Sequence, residues 1–418
     1  MKNSILLICC SLLMILVTSC SEDEKIVKTY TVKVPAQLEN AEVIAFLTDK
    51  SGKLLHTQKA APGSVMTLEG GDAGEITLHN LIRLKTGPTT YRYKLDSYTN
   101  VPNKWNLNVA AIVSEPIPVG SHYLEVTGVP SDYTNVTFVG PNVQQPPQAV
   151  TGPNFTLQAL LSKDNSLISY LLIPSNNMAP RYADFSNASA DDHETVEFSD
   201  MEEAEAVAID FGMEAEQISV NQEAVYTRGP MTYFVPVAQY TIAQADHANV
   251  YTFPIDVVGY NKTTISFYAD NAYYSYYRYA GPMDRFWYIE ADVTGLTVSD
   301  NTLKVSTTGS YDYVTARSEE AWNSELGEYS LQWNIQFLKK SKNNVVVPEI
   351  PQTIINEWPE LAGAPIKFDY AEVVENVAND GYLGGTRVGR VKTSQPSQDT
   401  MVKGRGFGSP VNPGLNTN

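Results

Sequence analysis

Tyr329-Ser330-Leu331-Gln332-Trp333-Asn334-Ile335-Gln336-Phe337-Leu338 alternates apolar and polar residues. Successive side chains of a strand point to opposite faces, so Leu331, Trp333, Ile335 and Phe337 share one face. A period of two sustained this long predicts a half-buried strand rather than a helix. The run stops at Lys339-Lys340-Ser341-Lys342, followed by Val345-Val346-Val347-Pro348-Glu349-Ile350-Pro351. Charge and proline there would end further pairing.

The same texture extends outward in both directions. Tyr30-Thr31-Val32-Lys33-Val34 alternates, and Glu42 to Thr48 and Lys53 to Gln58 flank a turn at Asp49-Lys50-Ser51-Gly52. Phe155 to Leu161 and Leu167 to Ile173 are expected to form a hairpin around Lys163-Asp164-Asn165. Short strands punctuated by Gly, Pro, Asn and Asp predict a mainly β chain of tandem β-sandwich modules, Ig-like or transthyretin-like. One short helix is expected near residues 200–211. Ser199 and Glu202 read as a capping box, Gly212 as the stop, and Met201, Ala204, Ala208 and Phe211 as one face.

Pro116, Pro118 and Gly120 mark a first boundary. The expected organisation is a signal peptide over 1–19, a tether over 20–27 and a β-sandwich module over 28–116. A second β module with an acidic, helical insertion follows over 121–250, then a Tyr-rich third module over 251–380. Residues 381–418 are rich in Gly, Ser, Pro and Asn, which predicts a disordered tail.

The "strand, Asp49-x-x-Gly52, strand" unit, followed by Pro62-Gly63 and Glu75-Ile76-Thr77-Leu78, resembles transthyretin-like and carboxypeptidase-regulatory-like sandwich domains. The likeness covers residues 28–80 and implies a structural module, not catalysis. At the other end of the chain's beginning, Lys2 precedes an apolar run from Ile5 to Val17, broken only by Ser11. That run is too short to span a bilayer and fits a signal peptide. Its end, Leu16-Val17-Thr18-Ser19-Cys20, resembles the bacterial lipobox, which implies that Cys20 becomes the lipidated first residue of the mature chain. The following Ser21-Glu22-Asp23-Glu24 resembles the export signal of Bacteroidetes-type surface lipoproteins. Together these imply an outer-membrane protein, lipid-anchored and displayed at the cell surface.

Composition excludes several function classes. The three cysteines are Cys9, Cys10 and Cys20. The expected processing leaves the folded part without a thiol for a disulfide, a metal or a nucleophile. The net charge is −18, which argues against nucleic acid as a partner, because phosphate binding needs clustered Lys and Arg. No Gly-x-Ser-x-Gly elbow and no phosphate-binding loop occurs. His56, His79, His122, His193 and His247 lack metal-site spacing, and His193-Glu194 beside Asp191 and Asp192 reads as a solvated acidic loop. No catalytic residue, metal site or cofactor is expected.

Tyrosine is the peculiarity, with 25 Tyr against 13 Phe and 5 Trp. Tyr273-Tyr274-Ser275-Tyr276-Tyr277-Arg278-Tyr279 and Arg285-Phe286-Trp287-Tyr288-Ile289-Glu290 read as two strands of a hairpin. Alternation puts Tyr273, Tyr277, Tyr279, Trp287 and Ile289 on a face expected to be core. It leaves Tyr274, Tyr276, Arg278, Phe286, Tyr288 and Glu290 outward, with Tyr274, Tyr276, Arg278, Tyr288 and Glu290 as a candidate ligand-binding row. Aromatic rings stack on sugar CH groups, and Arg and Glu take hydroxyls. The expected function is therefore non-enzymatic binding of an extracellular glycan or other macromolecule, a polysaccharide or a surface protein. The alternative is an adhesin or fimbrillin-like structural subunit, and the third is a glycoside hydrolase or other enzyme.

Overall fold

The computed structural model describes residues 27–36, 38, 40–109, 118–140, 143, 148–175, 178–228, 231–254, 260–270, 272–279, 289–324, 326–338, 343–376 and 399–406. Among them the chain is mainly β. The first strands are β1 (Lys28–Lys33), β2 (Ala41–Asp49), β3 (Leu54–Lys59), β4 (Val65–Gly71), β5 (Ile76–Lys85), β6 (Thr90–Tyr98) and β7 (Asn106–Asn108). Then come β8 (Gly120–Thr127), β9 (Tyr133–Val139), β10 (Gln148–Ala149), β11 (Phe155–Leu161), β12 (Ser166–Pro174), β13 (Arg181–Ala188), β14 (His193–Glu197) and β15 (Glu202–Glu203). A long pair, β16 (Glu205–Arg228) and β17 (Met231–Thr252), precedes β18 (Tyr260–Ala269), β19 (Ala272–Tyr279), β20 (Asp292–Ser299) and β21 (Thr302–Thr308). The chain closes with β22 (Tyr313–Ser324), β23 (Gly327–Leu338), β24 (Asn344–Val346), helix α1 (Gln352–Glu357), β25 (Phe368–Asn376) and β26 (Asp399–Gly406).

One sheet holds twelve strands in the order β17-β16-β18-β19-β26-β25-β22-β23-β6-β5-β2-β3. Its interior strand β23 contains the alternating decapeptide, and Leu331, Trp333, Ile335 and Phe337 are all buried in the largest core. The polar positions Asn334 and Gln336 are buried too, on the opposite face. Alternation in β2 feeds two cores at once. Ile44 and Phe46 join the Trp333 core, while Val43, Ala45 and Leu47 meet Tyr30 and Val32 of β1 and Leu68 of β4. A third core gathers Leu124 and Val126, Val136 and Phe138, Leu157 and Tyr170 from β8, β9, β11 and β12.

Four expectations are corrected. The hairpin of Phe155–Leu161 with Ser166–Pro174 does not form: β11 pairs with β8, and β12 with β9 and β13. Alternation assigns faces, and it leaves the pairing partner open. The helix near 200–211 is also absent. Phe198–Asp200 makes a single 3-10 turn and Glu205 opens β16. Ile209 and Phe211 are buried at a spacing of two, and Ala208 is exposed between helical neighbours that were to share its face. Gly212, read as a helix stop, sits instead at a bulge with φ +66°, its N–H donating to Asp210 Oδ1 at 2.7 Å. There β16 loses register with β17 between Asp210 and Ala215, and only glycine takes that backbone without strain.

The expected boundaries near 116 and 250 do not separate hydrogen-bonded units. β6 runs parallel to β23, and β16 pairs with β18, so residues 205–250 share a sheet with the Tyr-rich segment. Finally, the Gly-rich stretch 381–418 is not wholly without structure. Asp399–Gly406 forms β26, an interior strand bonded to β19 on one side and β25 on the other. Arg405 clasps Asp292 of β20 through Nε (2.9 Å) and Nη2 (2.8 Å), a paired geometry that fixes the strand laterally.

Candidate functional site

The tyrosine strand is where expected, and its faces are reversed. Tyr274 and Tyr276 are buried in the main core, Tyr274 stacked on Phe267 at 5.2 Å with Lys403 Nζ 5.5 Å above its ring. Arg278, on the same face, is half-buried, and Glu290 is exposed beyond the buried Ile289. Tyr288 and Cys20 lie outside the described residues. No exposed row is made of Tyr274, Tyr276 and Arg278. The face assignment rested on Trp287 and Ile289 in the partner strand, but β19 pairs with β18 and β26. Tyrosine rings are apolar enough to serve as core themselves.

The other face of β19 carries Tyr273 and Tyr277, both half-buried. Register extends this face across the sheet. Tyr273 lies opposite Tyr268 of β18 and Gly404 of β26; Gly404 lies opposite Glu372 of β25, and Glu372 opposite Thr315 of β22. In the adjacent row Tyr370 opposes Arg317, Arg317 opposes Asn334, and Asn334 opposes Asp96 of β6. Alternation thus places four tyrosines, an arginine and a glutamate on one surface, opposite the Trp333 core.

The polar atoms form a chain. Lys94 Nζ pairs with Asp96 at 3.2 Å, and Asn334 Nδ2 donates to Asp96 Oδ1 at 2.8 Å. Arg317 Nε donates to Asn334 Oδ1 at 3.2 Å, and the guanidinium carbon lies 5.3 Å from the Tyr370 ring centre. The Tyr370 hydroxyl donates to Glu372 Oε2 at 3.2 Å. At the far edge Lys262 pairs with Glu223 at 3.0 Å and stands 5.9 Å over the Tyr277 ring.

Tyr370 lies across the sheet because Gly404 leaves room for it. A Cβ at 404 would stand 2.0 Å from the Tyr370 hydroxyl oxygen and 2.6 Å from Cζ.

Electrostatically the site is costly to the fold. Burial raises the Glu372 carboxyl, against the pull of Arg317 and the Tyr370 hydrogen bond. Burial also pushes Tyr370 well above the ordinary phenol range, with Glu372 adding to the effect. Burial works against the charge on Arg317, but Glu372, Tyr370 and Glu319 together hold it protonated. Among the described residues no hydrogen bond or ion pair engages the Nη groups of Arg317. Thr315 Oγ1 is buried there without a hydrogen-bond partner. Half-buried charge with unspent donors in an aromatic surround is a ligand-site signature.

Sequence reading missed Arg317, Tyr370, Glu372 and Tyr268. A signal was present: Tyr313, Thr315, Arg317 and Glu319 alternate with Val314, Ala316 and Ser318. Nothing in one strand reveals that its polar face meets a tyrosine face from another. Among the described residues no group of three or more His, Cys, Asp or Glu gathers as metal ligands, and no helix is long and apolar enough to cross a membrane. No protein-family model matches the chain, and no curated protein matches its sequence.

Proposed function

We propose that the protein is a lipid-anchored, surface-exposed outer-membrane protein of tandem β-sandwich modules that binds extracellular glycan without chemistry. The shared cores of β1 and β4 with β2 and β5, and of β8 and β11 with β9 and β12, support the sandwich reading. The observation that carries the binding function is Arg317, with its Nη donors unengaged among described residues, beside Glu372 and between half-buried tyrosines. A sugar ring offers CH faces to Tyr273, Tyr277, Tyr268 and Tyr370, and hydroxyls to a donor and an acceptor held at fixed positions. The aromatic residues supply area at low entropy cost, and the charged pair supplies orientation.

Affinity electrophoresis of the protein on a polysaccharide panel tests this. Arg317→Ala, still melting cooperatively, is expected to weaken retardation by about ten- to a hundred-fold, the worth of hydrogen bonds to a charged group. Retardation that survives in Arg317→Ala and in Tyr273→Ala/Tyr370→Ala would move the binding elsewhere. No retardation on any polysaccharide would sink the glycan reading.

The anchor has its own test. Cys20→Ser is expected to abolish fatty-acid labelling and shift the protein out of the membrane fraction. A labelled, membrane-bound variant would remove the lipoprotein assignment.

The structural-subunit alternative has its own test. Filaments seen by electron microscopy of the purified protein would support it.

A further inference from the structure

The tyrosine row is several times longer than one sugar ring. Register aligns Tyr268, Tyr273, Gly404, Glu372 and Thr315 on five neighbouring strands, β18, β19, β26, β25 and β22. Four spacings of ~4.8 Å make the row about 19 Å long. Its aromatic part is continuous. Tyr268 meets Tyr273 with ring centres 5.3 Å apart, and the Tyr370 ring takes the space above Gly404. At the β22 end the surface turns polar, with Arg317, Glu372 and the buried Thr315 hydroxyl. Charge on the same face leans negative. Between β16 and β22 in the sheet order, the described residues place two cations there, Lys262 and Arg317, and four carboxylates, Glu216, Glu223, Glu319 and Glu372. Lys262 is ion-paired to Glu223 at 3.0 Å. Arg317 stands one row from Glu372 on the neighbouring strand, and Glu319 follows it on β22. No cation on this stretch lacks a carboxylate beside it.

We infer that the ligand is an uncharged polysaccharide, lying across the strands with several consecutive sugar units on the row. This rests on the reading of the tyrosine face as a glycan site, and it adds the ligand's charge and length. A sugar hydroxyl both donates and accepts, so neutral units satisfy the Arg317 Nη groups, the Glu372 carboxylate and Thr315 Oγ1 together. A uronate or sulfate group reaching for Arg317 would meet Glu372 and Glu319 first, within a chain of net charge −18. Like charges brought together in this way reject a ligand that the arginine alone would accept. Length follows from the row. One ring on Tyr273 leaves Thr315 and Glu372 out of reach, three and two strands away, whereas a chain running perpendicular to the strands meets both ends.

Affinity electrophoresis of the detergent-solubilised full chain on neutral glucans and mannans, beside polygalacturonate and alginate, tests both parts. Retardation is expected on a neutral polymer and not on the two acidic ones. Oligosaccharides cut from the retaining polymer should compete at least about ten-fold better than its monosaccharide at equal mass. Glu372→Gln keeps an acceptor for the Tyr370 hydroxyl and removes the charge beside Arg317. Its affinity for polygalacturonate is expected to rise at least about five-fold, and adding Arg317→Ala should cancel the gain. Glu319→Gln, at an exposed position, should move in the same direction and carries the test if Glu372→Gln does not melt cooperatively. Three results would each overturn the inference and leave the glycan reading standing: wild type held as firmly by acidic polymers as by neutral ones, monosaccharide competing as well as oligosaccharide, or neither glutamine variant gaining affinity for polygalacturonate. Retardation on no polymer at all would end both.

Discussion

Lowering the pH from 7 to 4.5 is expected to cost the protein about 2–3 kcal/mol through His79 alone. His79 is fully buried, stacked on Phe46 at 4.3 Å. Its ring nitrogens meet Thr48 Oγ1 at 2.9 Å and Ser97 Oγ at 2.7 Å, and Ser97 Oγ also accepts the Trp333 indole N–H at 2.8 Å. A neutral ring satisfies every group if Ser97 gives its hydroxyl proton to Nδ1 and Nε2–H donates to Thr48. A charged ring would be a buried cation with no anion among these partners. Burial therefore pulls its pKa down to about 3. An unfolded histidine titrates near ~6.5. Between those values the unfolded chain binds a proton that the folded chain refuses, so stability is complete above ~6.5 and falls as pH drops toward the folded value. Asp49 and Asp292, whose pKa values are lowered by hydrogen bonds from Ser51 and Arg405, lose stability in acid as well, so the slope alone does not identify the histidine. His79→Gln keeps a donor and an acceptor and does not titrate. Urea unfolding at both pH values should show the variant losing that much less. Equal losses in the two proteins would put the acid sensitivity elsewhere.

Much of the scaffold was legible in the alternation. The decapeptide around Trp333 is a strand with the stated face buried, and Asp49 makes its turn by accepting the N–H groups of Ser51 (2.8 Å) and Lys53 (3.0 Å). What the alternation left open was sign and partner. In β19 the period of two was read correctly and the inward face chosen wrongly, because tyrosine occupies both faces and neither is apolar enough to decide. In β16 a helical spacing and a strand spacing coexisted, and the ladder with β17 settled the competition. β26 was hidden by composition: Gly404 and Gly406 look like flexibility in isolation. In the sheet Gly404 is a close-packing residue, a role visible only once Tyr370 lies over it.

That role makes Gly404→Val the most damaging single change expected at the site. Valine suits a strand, so propensity alone would favour the substitution. The Cβ, however, falls 2.0 Å from the Tyr370 hydroxyl and 3.1 Å from Cε2, so the whole ring must leave, not only its tip. Moving it breaks the hydrogen bond to Glu372 and the contact beneath Arg317, and leaves a half-buried carboxylate without its donor. Overpacking costs about 1–3 kcal/mol and the loss of a part-buried hydrogen bond about 0.5–1.5 kcal/mol, so the sum is expected to lower stability by about 1.5–4.5 kcal/mol. The proposed glycan binding should go with it, since the stacking surface and the arginine move together. Because the clash is with one side chain, it is removable. In a Tyr370→Ala background Gly404→Val should cost little or stabilise, an interaction energy of at least about 1 kcal/mol in a double-mutant cycle. Binding should stay lost in the double variant, because the space is refilled and the ring is not. Simple additivity would show that Gly404 does not hold Tyr370 over the sheet. Recovered binding without Tyr370 would show that the tyrosine row is not the surface that meets the sugar.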